Sequence, residues 1–386
     1  MRAVSPQDRN EEFDVVVVGA GAAGIGVAVA LGKVGVAKLA VLDRYDVGAS
    51  FERWPKHLRF LTPSFPAHGF GLLDLNAVTP RTSPGLALQT EHPSGQQYAE
   101  YLRAVAEHLH VPVARGQDVL DLQRDSRDEK MPWRVRTRDH VIRARFVVWA
   151  AGEFQYPRLN GFPGAEHCRH TSLTASWDSI GEGGHVVIGG LESGIDAALR
   201  IVELGERVRV RVVDPAEPWQ YAQLDPSRAL TPRTQERLRG ALESGRRIRL
   251  IGGGPVQRVT PVERGYLLER TGARGLVTPN RPFLATGFSG SLSLLDSEFD
   301  RDPETSAVKL TEHDESTRSP GLFLVGPQVR HGALIFCFIY KFRQRFAVVA
   351  KEIANRLGLA TDPLDEYRAA GMFLDDLSCC DDSCVC

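Results

Sequence analysis

The sequence predicts an α/β protein made of two doubly wound units, the second inserted in the first. Three observations predict it. An apolar strand runs into a glycine turn and a small-residue helix at residues 13–24, Phe-Asp-Val-Val-Val-Val-Gly19-Ala-Gly21-Ala-Ala-Gly24. The same plan returns about 170 residues later in His185-Val-Val-Ile-Gly189-Gly190-Leu-Glu-Ser193-Gly194. Two further apolar strands, Phe146-Val-Val-Trp-Ala-Ala-Gly152 and Pro282-Phe-Leu-Ala-Thr-Gly287, end in matching small-residue turns.

In the first unit, residues 15–18 read as a buried parallel strand and residues 22–31 as a helix whose small side chains pack close to it. Gly19 permits the tight turn, Gly21 lets the backbone approach a pyrophosphate, and Gly24 allows close contact of helix and strand. The helix start offers free N–H groups and a positive dipole end to phosphates. A second strand at 38–42 ends at Asp43, the spacing at which a carboxylate accepts from ribose hydroxyls. The combination predicts a Rossmann-like dinucleotide site rather than a tight βα turn without a ligand. Residues 15–32 are also charge-free over a length that resembles a membrane span. Five glycines in that stretch argue against one, since each costs a continuous helix about 1 kcal/mol relative to alanine. The charged N-terminus lacks the apolar core of a secretory signal.

With 386 residues, a quarter of them charged, and a net charge of −1, the chain fits a soluble two-domain enzyme. The near balance of charge speaks against a nucleic-acid partner; the locally basic stretch 134–145 alternates like a solvated sheet face. Only Cys168 and Cys337 occur before residue 379, so the cysteines form no disulfide framework and point to a reducing cytoplasm.

Residues 46–93 are rich in proline and aromatics, among them Trp54, His57, Phe60, Phe65, His68 and Phe70. A long aromatic excursion of this kind covers a cofactor, shapes a substrate cleft, or packs on the exterior. Ser94 and Gln97 then form a capping box, opening a helix with Tyr98, Leu102, Val105 and Leu109 on one face. Short strands fill 111–148, and the turn at Gly152 brings backbone near a cofactor at the carboxyl edge of the sheet. Pro157, Pro163 and Gly164 mark the crossing into the inserted unit.

The inserted unit runs through a strand at 186–188, the glycine turn, a helix at 193–204 and a strand at 208–213 ending at Asp214. Leu191 takes the middle glycine place and narrows the approach to a pyrophosphate; Ser193 compensates by offering a hydroxyl at the helix start. Asp214 favours a free ribose 2′-OH, hence NADH over NADPH, although Arg209 and Arg211 on the same strand weaken that lean. Gly287 returns the chain to the first unit, Gly321-Leu-Phe-Leu-Val-Gly326-Pro-Gln328 is a further strand ending at glycine, and 333–354 is expected as a helix under the cofactor with Lys341, Arg343 and Arg345 as polar positions. The expected division is 1–158 and 284–372 for the first unit, 159–283 for the inserted one, and 373–386 for a mobile tail.

Together these motifs resemble the two-dinucleotide-binding-domain flavoproteins, the superfamily of thioredoxin reductase-like enzymes, bacillithiol disulfide reductase and class B flavin monooxygenases. The resemblance spans roughly residues 13–355. It implies FAD in the first domain on Gly19, Gly21, Gly24 and Asp43, with Gly152 close by, and NAD(P)H in the second on Gly189, Gly190, Ser193, Gly194 and Asp214, with Gly287 at the return turn. It also places Gly326 near the ribityl chain; the family's following aspartate is replaced by Pro327 and Gln328, so Gln328 becomes the candidate polar contact. No Cys-x-x-Cys or Cys-x4-Cys stands beside either nucleotide fold, and the monooxygenase fingerprint Phe-x-Gly-x-x-x-His is missing before His170.

The tail concentrates four thiols, Cys379, Cys380, Cys384 and Cys386, among four aspartates. It resembles the C-terminal thiol pairs of high-molecular-weight thioredoxin reductase and mercuric reductase. Such thiols carry electrons or bind a soft metal ion. The aspartates raise thiol pKa but keep the tail solvated. Three functions follow: an FAD-dependent NAD(P)H oxidoreductase passing electrons to a small-molecule or thiol acceptor through these cysteines, a flavin monooxygenase, or a metal-handling flavoprotein. No nucleic acid or membrane is expected, and the oligomeric state stays open, a homodimer included. His331 is a candidate proton donor to a leaving thiolate, or a structural histidine. Cys337 reads as a core thiol and Cys168 as part of a surface turn.

Overall fold

The computed structural model describes residues 11–65, 73–177, 180–220 and 225–378. The chain opens with β1 (Glu12–Val18), α1 (Ala22–Lys33) and β2 (Leu39–Asp43). β1 and β2 pair in parallel from Val15 against Leu39 to Val18 against Leu42. Their central residues are covered on both faces, so they read as unbroken apolar runs rather than as an alternation.

The excursion carries α2 (Ala49–Glu52) and α3 (Pro84–Leu88), and α4 (Gly95–His108) begins at the expected capping box. Ser94 Oγ accepts from the Gln97 N–H, and Gln97 Oε1 accepts from the Ser94 N–H at 2.9 Å. Tyr98, Leu102 and Val105 are buried, whereas Leu109 caps the helix and is exposed. The strands β3 (Val113–Arg115), β4 (Val119–Arg124), β5 (Trp133–Thr137) and β6 (Val141–Trp149) complete this part. The order is β3-β2-β1-β6-β5-β4, and β5 shows the alternation of buried Val135 with exposed Arg134 and Arg136 expected of a solvated face.

The inserted unit contains β7 (Arg169–His170), β8 (Gly184–Ile188), α5 (Glu192–Glu203), β9 (Arg209–Val213), α6 (Pro232–Glu243) and β10 (Ile248–Ile251). An antiparallel meander, β11 (Val256–Val262), β12 (Gly265–Arg270) and β13 (Ala273–Thr278), precedes β14 (Phe283–Leu284). Its parallel sheet has the order β10-β9-β8-β14-β7. Where the chain leaves and returns, the crossings run side by side: the Arg158 N–H donates to Gly287 O at 3.0 Å and the Ser289 N–H to Tyr156 O at 2.8 Å.

β15 (Leu322–Leu324) then joins the first sheet against the second half of β6. A two-stranded hairpin of β16 (Arg330–His331) and β17 (Leu334–Ile335) leads to α7 (Ile339–Phe342), α8 (Phe346–Leu357) and α9 (Asp365–Ala369). The single helix expected at 333–354 is therefore corrected: its first six residues are extended or hairpin, and a 3-10 turn at Arg343–Arg345 separates α7 from α8. The cause lies in the basic residues, which point inward rather than outward. Arg343 donates to Ala77 O at 3.0 Å, and Arg345, fully buried, grips both oxygens of the equally buried Asp314 at 2.9 and 3.0 Å. Among the described residues no helix is long and apolar enough to cross a membrane.

Candidate active site

The first glycine turn is fixed by close approach. Gly19 has φ +107°, and a methyl there would stand 2.6 Å from Ala150 O; one at Gly24 would stand 1.8 Å from Gly19 O. Gly21, in contrast, has open space where a Cβ would be, and it lines a cavity of about 460 Å³. It is the N-cap of α1, which has neither a side-chain cap nor an acidic residue in its first turn. Unpaired helix amides thus meet a bare backbone at the cavity wall, an arrangement that accepts a diphosphate.

Asp43 also reaches the cavity, but its oxygens hold the turn together: Oδ2 accepts from the Ala20 N–H at 2.7 Å and Oδ1 from the Tyr45 N–H at 2.8 Å. Burial pushes its pKa up. Beside it Arg44 binds Asp118 at 2.7 Å and Tyr156 OH at 3.0 Å, and all three line the same space. Gly152, with φ +66°, lines it too.

Part of the excursion builds an aromatic wall. Trp54 and Phe60 lie 5.1 Å apart between ring centroids, and Phe60 packs on Tyr98 at 4.4 Å. The Trp54 indole Nε1 is buried without a hydrogen-bond partner among the described residues, a donor left for a ligand acceptor. A diphosphate cradle, an aromatic wall and an orphaned donor on one cavity fit a flavin dinucleotide. Phe65 is exposed, and His68 and Phe70 lie outside the described residues.

The second turn repeats the skeleton. Gly189 has φ +105°, and a methyl at Gly194 would stand 2.0 Å from Gly189 O. Asp214 accepts from the Gly190 N–H at 2.7 Å and the Ala216 N–H at 2.9 Å. A methyl at Gly190 would meet the Trp219 ring at 2.4 Å, so its bareness serves packing. Leu191 is the N-cap of α5 and is 42% exposed. Glu192 turns its carboxylate to the Thr231 N–H and the Thr234 hydroxyl, both at 2.5 Å, and burial raises its pKa. Ser193 faces the large cavity from the opposite side to Gly21's unit.

Several expected residues stand elsewhere. Gly287 accepts from His170 Nε2 at 3.0 Å through its carbonyl, and its neighbour Phe288, not Gly287, lines the cavity. Gly326, with φ +108°, is followed by cavity-lining Pro327, while the Gln328 amide packs on Gly290. Gln328 therefore does not take over the polar contact. His331 is outside the cavity lining and binds buried Asp314 at 2.5 Å, a structural place rather than that of a proton donor. Cys168 is buried rather than in a surface turn, its thiol pushed up to about 12 by burial. Cys337 is half-buried in the cavity wall, with Sγ donating to Ser227 Oγ at 3.1 Å. Cys379, Cys380, Cys384 and Cys386 lie outside the described residues.

Sequence reading missed Glu153 and the basic side chains of the second unit. Glu153 lines the cavity, and burial raises its pKa against the pull of Arg330. Arg200, Arg233 and Arg237 line it as well. The signal for Arg200 was available in the spacing from Ser193, two helical turns along one face.

The chain matches the pyridine nucleotide-disulphide oxidoreductase family over residues 16–326. It is 23% identical over 349 residues to bacilliredoxin reductase Bdr of Bacillus subtilis (strain 168), covering 88% of this chain and 97% of that protein. Bacillithiol disulfide reductase Bdr from Staphylococcus aureus superposes with a TM-score of 0.71 at 18% identity, over 90% of this chain and 99% of that one. A flavin-containing monooxygenase from Stenotrophomonas maltophilia gives 0.68 at 16% identity, over 90% and 99% of the two chains. These likenesses show a shared two-domain α/β fold. The family match spans both glycine turns, and the chain belongs to the pyridine nucleotide-disulphide oxidoreductase family and is an oxidoreductase.

Proposed function

We propose that the chain is an FAD-dependent NAD(P)H oxidoreductase that reduces a small disulfide or other thiol-type acceptor. The observation that carries this reading is the shared cavity: bare Gly21 and the uncapped α1 open on it from one unit, and α5 of the other forms its facing wall. Bound flavin would accept a hydride from the nicotinamide and supply two electrons to the acceptor. The chain's part is to hold the diphosphate on the α1 amides, to offer Trp54 Nε1 to a ligand acceptor, and to exclude water with Trp54, Phe60 and Phe342. Asp214 at the end of β9 favours NADH over NADPH, since its carboxylate repels a 2′-phosphate. The likeness to a bacilliredoxin reductase and a bacillithiol disulfide reductase supports a disulfide acceptor.

The route out is proposed to run through Cys379, Cys380, Cys384 and Cys386. The last described stretch is anchored close to the cavity wall: the Leu374 N–H donates to Gln344 O at 3.1 Å, two residues from cavity-lining Phe342. Cys384 is six residues beyond Ser378, a span of up to roughly 20 Å. Such thiols belong to a reducing compartment, and a soft metal ion is the competing occupant.

An anaerobic titration with NADH, on the full chain and on a chain ending at Leu377, tests both claims. More than one electron pair per flavin, reduced to one by truncation, is the expected result. One pair in both chains removes the tail from the route. Failure of NADH and NADPH alike to bleach the flavin sinks the reading, and substrate-coupled oxygen consumption would replace it with monooxygenation.

A further inference from the structure

α5 sets Ser193, Asp196, Ala197 and Arg200 at i, i+3, i+4 and i+7, and all four line the cavity. Its opposite face, with Ile195, Leu199 and Val202, is buried in the second unit's core. α6 adds Arg233 and Arg237, one turn apart, and the excursion of the first unit adds His57 and Arg59. The two units touch here: Trp177 Nε1 donates to His57 Nε2 at 3.0 Å, and that nitrogen lies 3.6 Å from Asp196 Oδ2.

Charge at this wall does not balance. Arg237 is paired with Asp196 at 2.8 Å and Arg200 with Glu203 at 2.9 Å. Arg59 directs Nη1 to the carbonyls of Lys56 and Leu58, both at 2.8 Å, and Arg233 has no ion pair among the described residues. The nearby Glu192 is committed to Thr231 and Thr234. Burial, then the neighbouring Arg237, lowers the pKa of Arg233 against the pull of Glu91, Asp196 and Glu236. His57 is lowered chiefly by burial, with Arg200, Arg59 and Arg237 pushing the same way against Asp196. The Arg200 Nε is buried with no partner among the described residues, a charged donor that is costly to leave unpaired.

We propose that Arg200 and Arg233, supported by Arg59 and Arg237, form an anion subsite that binds a carboxylate or phosphate group of the acceptor. This rests on the reductase reading above. Guanidinium forks suit such groups because they bind two oxygens at once. The dinucleotide's own diphosphate belongs at the α5 start; Arg200 lies eight residues further, about 12 Å along the helix. The acceptor is therefore a small anionic molecule, entering between the units.

The test uses the FAD-loaded full chain with Arg200→Gln, Arg233→Gln and Arg233→Lys. Two disulfide probes are compared, 5,5′-dithiobis(2-nitrobenzoate), which carries two carboxylates, and uncharged 4,4′-dithiodipyridine. KM for the anionic probe should rise about tenfold in both glutamine variants and be partly rescued by Arg233→Lys, with the neutral probe within about twofold of wild type. In wild type only the anionic probe should lose affinity as salt rises. Equal effects on the two probes overturn the proposal. So does a weakened flavin-reduction step by NADH, which would assign the cluster to the dinucleotide. If neither disulfide is reduced, the reductase reading fails by itself. Citrate binding by calorimetry then decides the subsite: binding lost in Arg233→Gln supports it, and no binding to wild type overturns it.

Discussion

At the start of α1 stands Gly21, open to the cavity; at the start of α5 stands Leu191, leaning into solvent. Around these two residues the turns are nearly superposable in their logic. Each has a first glycine at φ above +100°, a last glycine pressed on the first one's carbonyl, and an aspartate taking a backbone N–H at 2.7 Å. The skeleton is the cost of bending a strand into a helix at close quarters, and both units meet it in the same way. What differs is access. The first turn opens through bare Gly21 on the cavity that the aromatic wall lines; the second carries an exposed leucine at the same place.

Methyl groups at the last glycines should separate the two roles most sharply. Gly24→Ala, set against Gly19 O, is expected to cost on the order of 3 kcal/mol and to give protein without flavin. Gly194→Ala should keep its flavin while NADH bleaches it at least about tenfold more slowly. Flavin absorbance per chain and stopped-flow reduction check both, and loss of flavin from Gly194→Ala would break the distinction. Asp43→Asn and Asp214→Asn, both at half-buried carboxylates, each deprive one N–H of its acceptor, costing about 1–3 kcal/mol; urea unfolding followed separately in each unit measures it. Leu191→Gly should tighten NADH binding about fivefold, a gain near 1 kcal/mol in a Kd titration.

The smallest effect concerns pH. β7 and β8 carry His170 and His185, whose pKa values burial lowers, whereas the strands of the first sheet hold no histidine. A histidine lowered on folding binds fewer protons in the folded state. Its contribution is thus present above the unfolded pKa of about 6.5 and is lost as pH falls below it. Hydrogen exchange corrected for intrinsic rate should show the second sheet loosening relative to the first between pH 7.5 and 5.5. An unchanged ratio would refute this.

Strands and glycine turns were legible because backbone geometry at Gly19, Gly24, Gly189 and Gly194 admits few residues, and apolar runs such as 15–18 record burial directly. The α4 start was legible through the Ser94–Gln97 pair. The stretch 333–354 was not, since a polar position on a helix carries no record of its tertiary partner; Arg343 and Arg345 satisfy buried oxygens from residues far back in the chain. Of the two readings open for His331 the structure supports the structural one, through Asp314, a tertiary neighbour that no local pattern announces. The arginine wall escaped notice because it is assembled from two helices and an excursion that precedes them by more than a hundred residues.

The paired crossings at Tyr156–Arg158 and Gly287–Ser289 leave the two ends of the inserted unit hydrogen-bonded to each other, one strand spacing apart. A module whose entrance and exit adjoin is portable: a short turn could close the gap it leaves, and the first sheet, whose β6 and β15 pair through the other side of that junction, would retain every strand it needs.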